Sequence, residues 1–349
     1  MRKIVIESIP IEKALEENYI FIDVRTKEEF KEFHIPGALN IPLFTLEERK
    51  KISEIYYSKG EKQARIFALK VISPRLPELV EKILKIKKTH GKVALYCWRG
   101  GMRSFSLAVV SYLAGVYIPI VKGGYRAFRK FILERIERLS ERKTFIVLYG
   151  PTGCGKTKIL RTLKLKGFPV IDLEGLAGHR GSVFGGIGLK QPSQKMFDAM
   201  LWKEMEKYKN SDFLIVEGES RKIGKIHIPE TFWKAMKKGR KIILTLPIEE
   251  RVKVSLEDYK ISQNEPKIYI KSLEKIKKHL PLEKYNLIKN LIERENYREA
   301  LKELMISYYD PLYRESTPEA EAKIEAKDVD NAVKKLSLYL SKLNNPVLA

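Results

Sequence analysis

Cysteine is almost missing from this chain of 349 residues: there are two, Cys97 and Cys154, each inside its own glycine-rich segment. Two cysteines in separate motifs cannot build a disulfide framework. The five histidines are scattered, and none stands at metal-ligand spacing from a cysteine, so the sequence holds no zinc signature. No apolar run approaches the roughly 18 residues of a membrane span. The N-terminal Met-Arg-Lys-Ile-Val-Ile lacks the long apolar stretch and small-residue cleavage site of a signal peptide, which leads us to expect a cytoplasmic protein without a membrane partner. Negative charge is the other deficit. Lys and Arg number 67 against 44 Asp and Glu, a formal charge of +23. A lysine- and glutamate-rich surface accounts for many charges of both signs but not for an excess of one, and a polyanionic partner is the better explanation.

What is present alternates. Short apolar β-forming runs at 3–6, 19–24, 92–96, 144–149, 169–173, 213–217 and 241–246 are separated by segments of helical periodicity. Residues 45–90 read as charged and helical, broken at Gly60 and at Pro74 and Pro77; 125–142 reads as one long amphipathic helix. A last short strand is expected at 324–327, before a helix from Asp330. Such alternation implies α/β architecture with parallel sheets. We place a domain boundary near residue 140, giving units of 1–140 and 141–349, the second with a helical, basic region at about 249–305. No internal repeat is evident.

Cys97-Trp-Arg-Gly-Gly-Met-Arg-Ser104 follows an apolar strand and opens a helix. A sulfur there lies under backbone N–H groups and the positive end of the helix. Gly100 and Gly101 allow a tight loop, and Arg99 and Arg103 add charge. A cradle of this kind stabilises a thiolate and binds anionic sulfur, selenium or phosphorus groups. Cys-x5-Arg is shared by rhodanese-type sulfurtransferases and cysteine-dependent phosphatases. Upstream, Phe21-Ile-Asp-Val-Arg25, Glu29 and His34-Ile-Pro-Gly-Ala-Leu-Asn-Ile-Pro42 resemble the rhodanese signature, and Tyr96 stands where a tyrosine phosphatase carries histidine. Asp23, Arg25 and His34 read as structural ties between turn and sheet.

Gly150-Pro-Thr-Gly-Cys-Gly-Lys-Thr157 matches the phosphate-binding loop, with a strand before it and a helix after it. Its glycines, Gly150, Gly153 and Gly155, let N–H groups cradle a diphosphate, Lys156 neutralises it, and Thr157 offers an oxygen to Mg²⁺. Around this loop, Glu217 and Glu219 end a strand as a Walker-B carboxylate does, and Gly178-His179-Arg180-Gly-Ser182 is a second glycine-rich loop able to meet an anion. The loop by itself does not specify ATP, since any diphosphate fits the cradle.

Taken together, a rhodanese half with Cys-Trp-Arg-Gly-Gly-Met-Arg-Ser, a P-loop half with Gly-His-Arg-Gly-Ser and Glu-Ser-Arg221-Lys-Ile-Gly224, and Tyr308-Tyr-Asp-Pro-Leu-Tyr-Arg314 resemble the tRNA 2-selenouridine synthases over almost the whole chain. The fold this implies is α/β: an N-terminal rhodanese-like parallel-sheet domain plus a P-loop NTPase-like α/β domain with a helical basic extension. The implied activity acts on tRNA carrying wobble 2-thiouridine. It attaches a geranyl group from geranyl diphosphate to the sulfur, then exchanges the geranylthio group for selenium from selenophosphate. Both donors are substrates, and no tightly bound cofactor is expected. Mg²⁺ at Thr157 and a use of ATP stay open, as does the oligomeric state. Candidate RNA contacts are two basic clusters: Lys234, Lys237, Lys238, Arg240 and Lys241; and Lys267, Tyr269, Lys271, Lys275, Lys277 and Lys278, where an aromatic ring is interleaved for base stacking. Two other readings remain at this point, an ATP-dependent tRNA sulfurtransferase and a non-catalytic RNA-binding sulfur carrier.

Overall fold

The computed structural model describes residues 5–259, 266–316 and 318–344. By its internal contacts the chain divides into two units, Met1–Arg135 with Asp198–Lys203, and Ile136–Phe197 with Glu204–Ala349.

The first unit is a five-stranded parallel sheet. Its elements run β1 (Ser8–Ile9), α1 (Ile11–Glu16), β2 (Ile20–Asp23), α2 (Lys27–Glu32), β3 (Leu39–Asn40), α3 (Leu46–Ile72), α4 (Leu76–His90), β4 (Val93–Tyr96), α5 (Met102–Leu113), β5 (Ile120–Val121) and α6 (Gly124–Arg142), with strand order β1-β5-β4-β2-β3. All four β4 residues are buried, as expected of a central parallel strand covered on both faces. Thr26 and Thr45 begin α2 and α3 with reciprocal capping boxes to Glu29 and Glu48. Within α3 the backbone breaks at Gly60, whose φ of 86° is outside the helical region, and Ser73–Arg75 forms a single 3-10 turn before α4. The expected strand at 3–6 falls partly outside the described residues. Residues 1–4 lie outside the described residues; the Glu7 carbonyl accepts from Ile120 N at 3.0 Å, and the paired strand runs over Ser8–Ile9, where Ile9 is buried.

In the second unit β6 (Thr144–Tyr149), α7 (Lys156–Leu165), β7 (Val170–Ile171), α8 (Leu173–Ala177), α9 (Gln194–Lys207) and β8 (Phe213–Glu217) are followed by a small antiparallel hairpin, β9 (Lys222–Ile223) and β10 (Ile226–His227). Then come α10 (Glu230–Lys238), β11 (Arg240–Thr245), α11 (Ile248–Tyr259), α12 (Pro266–Glu274), α13 (Leu282–Glu293), α14 (Tyr297–Leu304), a π-helical turn (Met305–Tyr309), α15 (Asp310–Ser316), β12 (Ala322–Glu325) and α16 (Val329–Asn344). The main sheet is parallel, in the order β12-β11-β6-β8-β7. Its core joins Ile146, Leu148, Ile159, Leu163, Leu244 and Leu336. The helical region has a separate core that includes Phe184, Leu273, Ile288 and Leu304. Among the described residues no helix is long and apolar enough to cross a membrane.

Candidate functional site

The chain carries two candidate sites, one in each unit. In the first, Cys97 follows β4 and is buried. The Ser104 hydroxyl donates to its Sγ at 3.3 Å and the Gly101 carbonyl lies 3.9 Å from it. The loop is closed from below by backbone: Tyr125 N donates to Cys97 O and Arg126 N to Trp98 O. Gly100 has φ +65°, and a Cβ there would stand 2.7 Å from Val121 O, so this turn admits glycine alone. Arg103 is drawn aside by Glu29, Nη1 to Oε2 at 2.7 Å. Burial pushes the Glu29 carboxyl up, but the Arg103 bond and charge outweigh it and hold the group below its usual range. Arg99 is exposed at the loop's crown.

Behind the loop, Asp23 and Arg25 are fully buried and bonded to each other, with Arg25 Nη2 2.6 Å from Asp23 Oδ2 and 2.7 Å from the Phe33 carbonyl. Asn40 donates to the carbonyls of both. The His34 ring nitrogen meets Phe30 O at 2.9 Å, and the Tyr96 hydroxyl accepts from Ile35 N. These residues tie the turn to the sheet, and Tyr96 is the buried post on which it hangs.

The phosphate loop of the second unit lies between β6 and α7. Gly153 and Gly155 have φ of +82° and +73°, and Gly150 is pressed against Cys154 Sγ and Leu244 O, so its Cβ position would fall 2.6 Å from each. Lys156 Nζ donates to Gly150 O at 2.7 Å. Burial would lower its pKa, but the charges of Cys154, Glu174 and Glu219 hold it above the ordinary lysine value. The loop forms one wall of a cavity of about 850 Å³ whose lining includes Thr157, Arg161, Glu174, His179, Arg180 and Glu219.

Sequence reasoning missed the residue that organises this cavity. Asp172 caps α8, and two residues later Glu174 accepts from the Thr157 hydroxyl at 2.6 Å. Glu217 is fully buried and does not line the cavity; its Oε1 accepts from Glu174 N and its Oε2 has no partner among the described residues. Glu219 lines the cavity. Burial and the neighbouring Glu174 carboxylate push Glu219 up to about 8, while burial, Asp172 and Glu174 raise Glu217 well above the carboxylate range. The second glycine-rich loop is fitted to these carboxylates, for a Cβ on Gly181 would fall 2.8 Å from Glu219 Oε1 and 2.9 Å from Glu174 Oε1. Arg180 spends its guanidinium on the Ile187 carbonyl at 3.0 Å and on the face of Tyr259 at 5.0 Å. Burial, then the charges of Arg180 and Lys275, lower the His179 pKa. Thr157, Glu174 and Glu219 are hard oxygen donors of the kind Mg²⁺ takes. No group of three His, Cys, Asp or Glu among the described residues could hold a metal alone, so diphosphate and water would have to complete the shell.

The remaining residues singled out in the sequence fall elsewhere in the fold. Arg221 is exposed, reaches Glu230 at 3.4 Å, and is not part of the cavity wall. Arg240 is a β11 residue held by Glu321, Nε to Oε2 at 2.7 Å, while Lys237 and Lys238 are exposed on α10. Lys267, Lys271, Lys275 and Lys278 are exposed, and none makes an ion pair among the described residues. Tyr269 corrects our expectation. It is buried, 4% exposed, in the core of the helical region, because the spacing Tyr269, Leu273, Ile276 puts it on the apolar face of the segment. It is not a ring offered to an RNA base. In the Tyr308–Arg314 segment, Asp310 takes a bidentate bond from Arg251, whose Nε also donates to Thr152 O, so this motif braces the phosphate loop.

A rhodanese-like unit and a P-loop-like unit thus share one chain, each built on a parallel sheet with a glycine-rich loop at its centre. The family profile described as rhodanese-like domain matches residues 11–131, and that described as tRNA 2-selenouridine synthase AAA domain matches 143–342. The protein named tRNA 2-selenouridine synthase in Hydrogenovibrio crunogenus is 32% identical over 94% of this chain and 97% of its own length. Those of Nitrosomonas eutropha and Nitrosomonas europaea are 36% and 35% identical, each over 68% of this chain. Against these two the match spans 62% and 63% of the relative's length. The chain belongs to the tRNA 2-selenouridine synthase family.

Proposed function

We propose that this enzyme converts wobble 2-thiouridine of tRNA to 2-selenouridine, in the cytoplasm, in two stages. In the first, the thiouridine sulfur attacks C1 of geranyl diphosphate. A C–S bond forms as the C1–O bond breaks, and diphosphate leaves with the electron pair. Lys156 and the N–H groups opening α7 stand where that charge develops. Mg²⁺ at Thr157 and Glu174 would supply further neutralisation of the diphosphate. In the second stage selenium of selenophosphate attacks C2 of the alkylated base, and the geranylthio group leaves as the thiol after taking a proton. Water then takes the phosphoryl group as phosphate, leaving selenium on carbon. The cradle of Cys97, Arg99 and Arg103 receives the selenophosphate anion in this reading.

The observation that carries the proposal is the phosphate-loop cavity, in a chain whose relatives bear the name of 2-selenouridine synthesis and whose Cys97 accepts a bond from Ser104. Mass spectrometry of nucleosides from thiolated tRNA tests it. Geranyl diphosphate alone should add one geranyl group, and selenophosphate should then replace geranylthio by selenium. A nucleoside changed only when ATP is supplied would instead favour an ATP-dependent sulfurtransferase.

A further inference from the structure

Beside the phosphate loop lies a second cavity, of a different character. It is small, about 30 Å³, and is lined by Phe184, Tyr259, Tyr269, Leu301, Leu304 and Met305 among others. Its walls come from α11, α12, α14 and the π-helical turn at Met305–Tyr309, a local irregularity of the sort that gathers at functional sites. Thr152, Ser255, Tyr259 and Tyr309 belong to both this lining and that of the 850 Å³ phosphate cavity, so the two spaces adjoin. The contact is close. A Cβ on Gly153 would fall 2.7 Å from Met305 Cε and from Ser255 Oγ, so the phosphate loop touches the apolar wall directly.

We infer that this cavity receives the hydrocarbon chain of an allylic diphosphate whose diphosphate sits on the phosphate loop, and that α11–α14 form a chain-binding subdomain. The inference rests on the diphosphate-donor reading above and adds where, and by which side chains, the chain is selected. A nucleobase fits poorly, because its polar edges would meet an apolar lining and lose their hydrogen bonds. The Tyr259 hydroxyl is already satisfied by Ser182 at 2.7 Å. An unbranched side chain such as Met305 can swing aside, so a slender chain widens the space without moving a helix. The buried position of Tyr269 is then explained: the segment's rings face a lipid-like chain, and its lysines face solvent.

The test is calorimetric titration of the full chain with three probes: inorganic diphosphate, dimethylallyl diphosphate and geranyl diphosphate. Each buried methylene contributes roughly fourfold in affinity. Wild type should therefore prefer the ten-carbon probe to the five-carbon one by up to about a thousandfold. Ala300→Phe, which fills the cavity, should remove at least about tenfold of that preference while inorganic diphosphate binds as before. Leu301→Ala, a milder change, should shift preference towards the fifteen-carbon farnesyl diphosphate. If Ala300→Phe also loses inorganic diphosphate, the fold has been damaged and the farnesyl-to-geranyl ratio of Leu301→Ala decides. A wild-type preference for geranyl that both variants leave untouched would overturn the inference and leave the donor reading standing. A wild type that binds geranyl diphosphate no better than inorganic diphosphate would overturn both.

Discussion

The cysteine loop and the phosphate loop stand among charges arranged in different ways. Behind the cysteine loop the charges are paired: Asp23 with Arg25, both fully buried, and the half-buried Glu29 with Arg103. Around the phosphate loop Glu174, Glu217 and Glu219 crowd together with Lys156, and Arg161 is engaged by Asp172 at 2.7 Å. Burial and mutual repulsion raise Glu217 well above the carboxylate range and Glu219 to about 8. The difference follows from the task. A matched pair is a rigid post that holds a loop in place. Crowded carboxyls with raised pKa carry less negative charge beside the phosphate loop than ordinary carboxylates would.

The comparison is broken most severely by removing the chemistry from one unit at a time. Lys156→Ala should lower geranylation of thiolated tRNA by about 10²–10³-fold, since it deletes a cation at the developing diphosphate charge. Selenation of pre-geranylated tRNA should survive. Cys97→Ala should show the reverse pattern in the same nucleoside assay. Equal losses on both substrates in either variant would mean that the two stages share one pocket.

Next in size is the buried pair. Arg25→Ala strands the Asp23 carboxylate at zero exposure and should cost about 3–5 kcal/mol in urea unfolding of the first unit, while diphosphate binding persists. A loss below about 1 kcal/mol would mean that water or protonation relieves Asp23, and that the pair is no frame.

For Glu219 the effect depends on pH. The folded pKa is near 8 and the unfolded value near 4.5, so between these values the folded chain holds a proton that the unfolded chain has released. Stability must then fall as pH rises through that window, and level off above it. The total change is about 3 kcal/mol after allowance for partial solvation. Glu219→Gln should abolish this slope. A variant with the wild-type slope would assign the proton to Glu217 or Glu174.

The smallest effect on folding is expected on the surface. Reversing Lys267, Lys271, Lys275 and Lys278 together should weaken tRNA binding and flatten its dependence on salt, with little change in thermal stability. Unchanged affinity would move the RNA surface to Lys237 and Lys238.

The parts legible in the sequence share one property: they are local. A cysteine loop or phosphate loop is shaped by glycines and N–H groups a few residues apart, so Cys97–Ser104 and Gly150–Thr157 announce their geometry without help from the fold. The alternation of strands and helices gave the two parallel sheets for the same reason. Two-residue ladders are too short to leave a period, so neither the β9–β10 hairpin nor the Ser8–Ile9 pairing is visible in the sequence. For Tyr269 the signal was present, in the helical spacing with Leu273 and Ile276, but the surrounding lysines drew attention to charge.

Chain order and composition by themselves determined that this protein has a rhodanese-like cysteine loop, a phosphate-loop motif and an excess of positive charge. Tertiary structure decided which carboxylates serve the cradle. Glu174 reaches Thr157 because β7 pairs with β8, setting Val170 beside Ile215 and Ile171 beside Val216, so that the turn after β7 returns to the start of α7. It also decided that the helices after β11, basic in sequence, enclose an apolar space against the phosphate loop. Both results depend on contacts between residues tens of positions apart, and such contacts form only when burial of one apolar face selects which side of each helix turns inward.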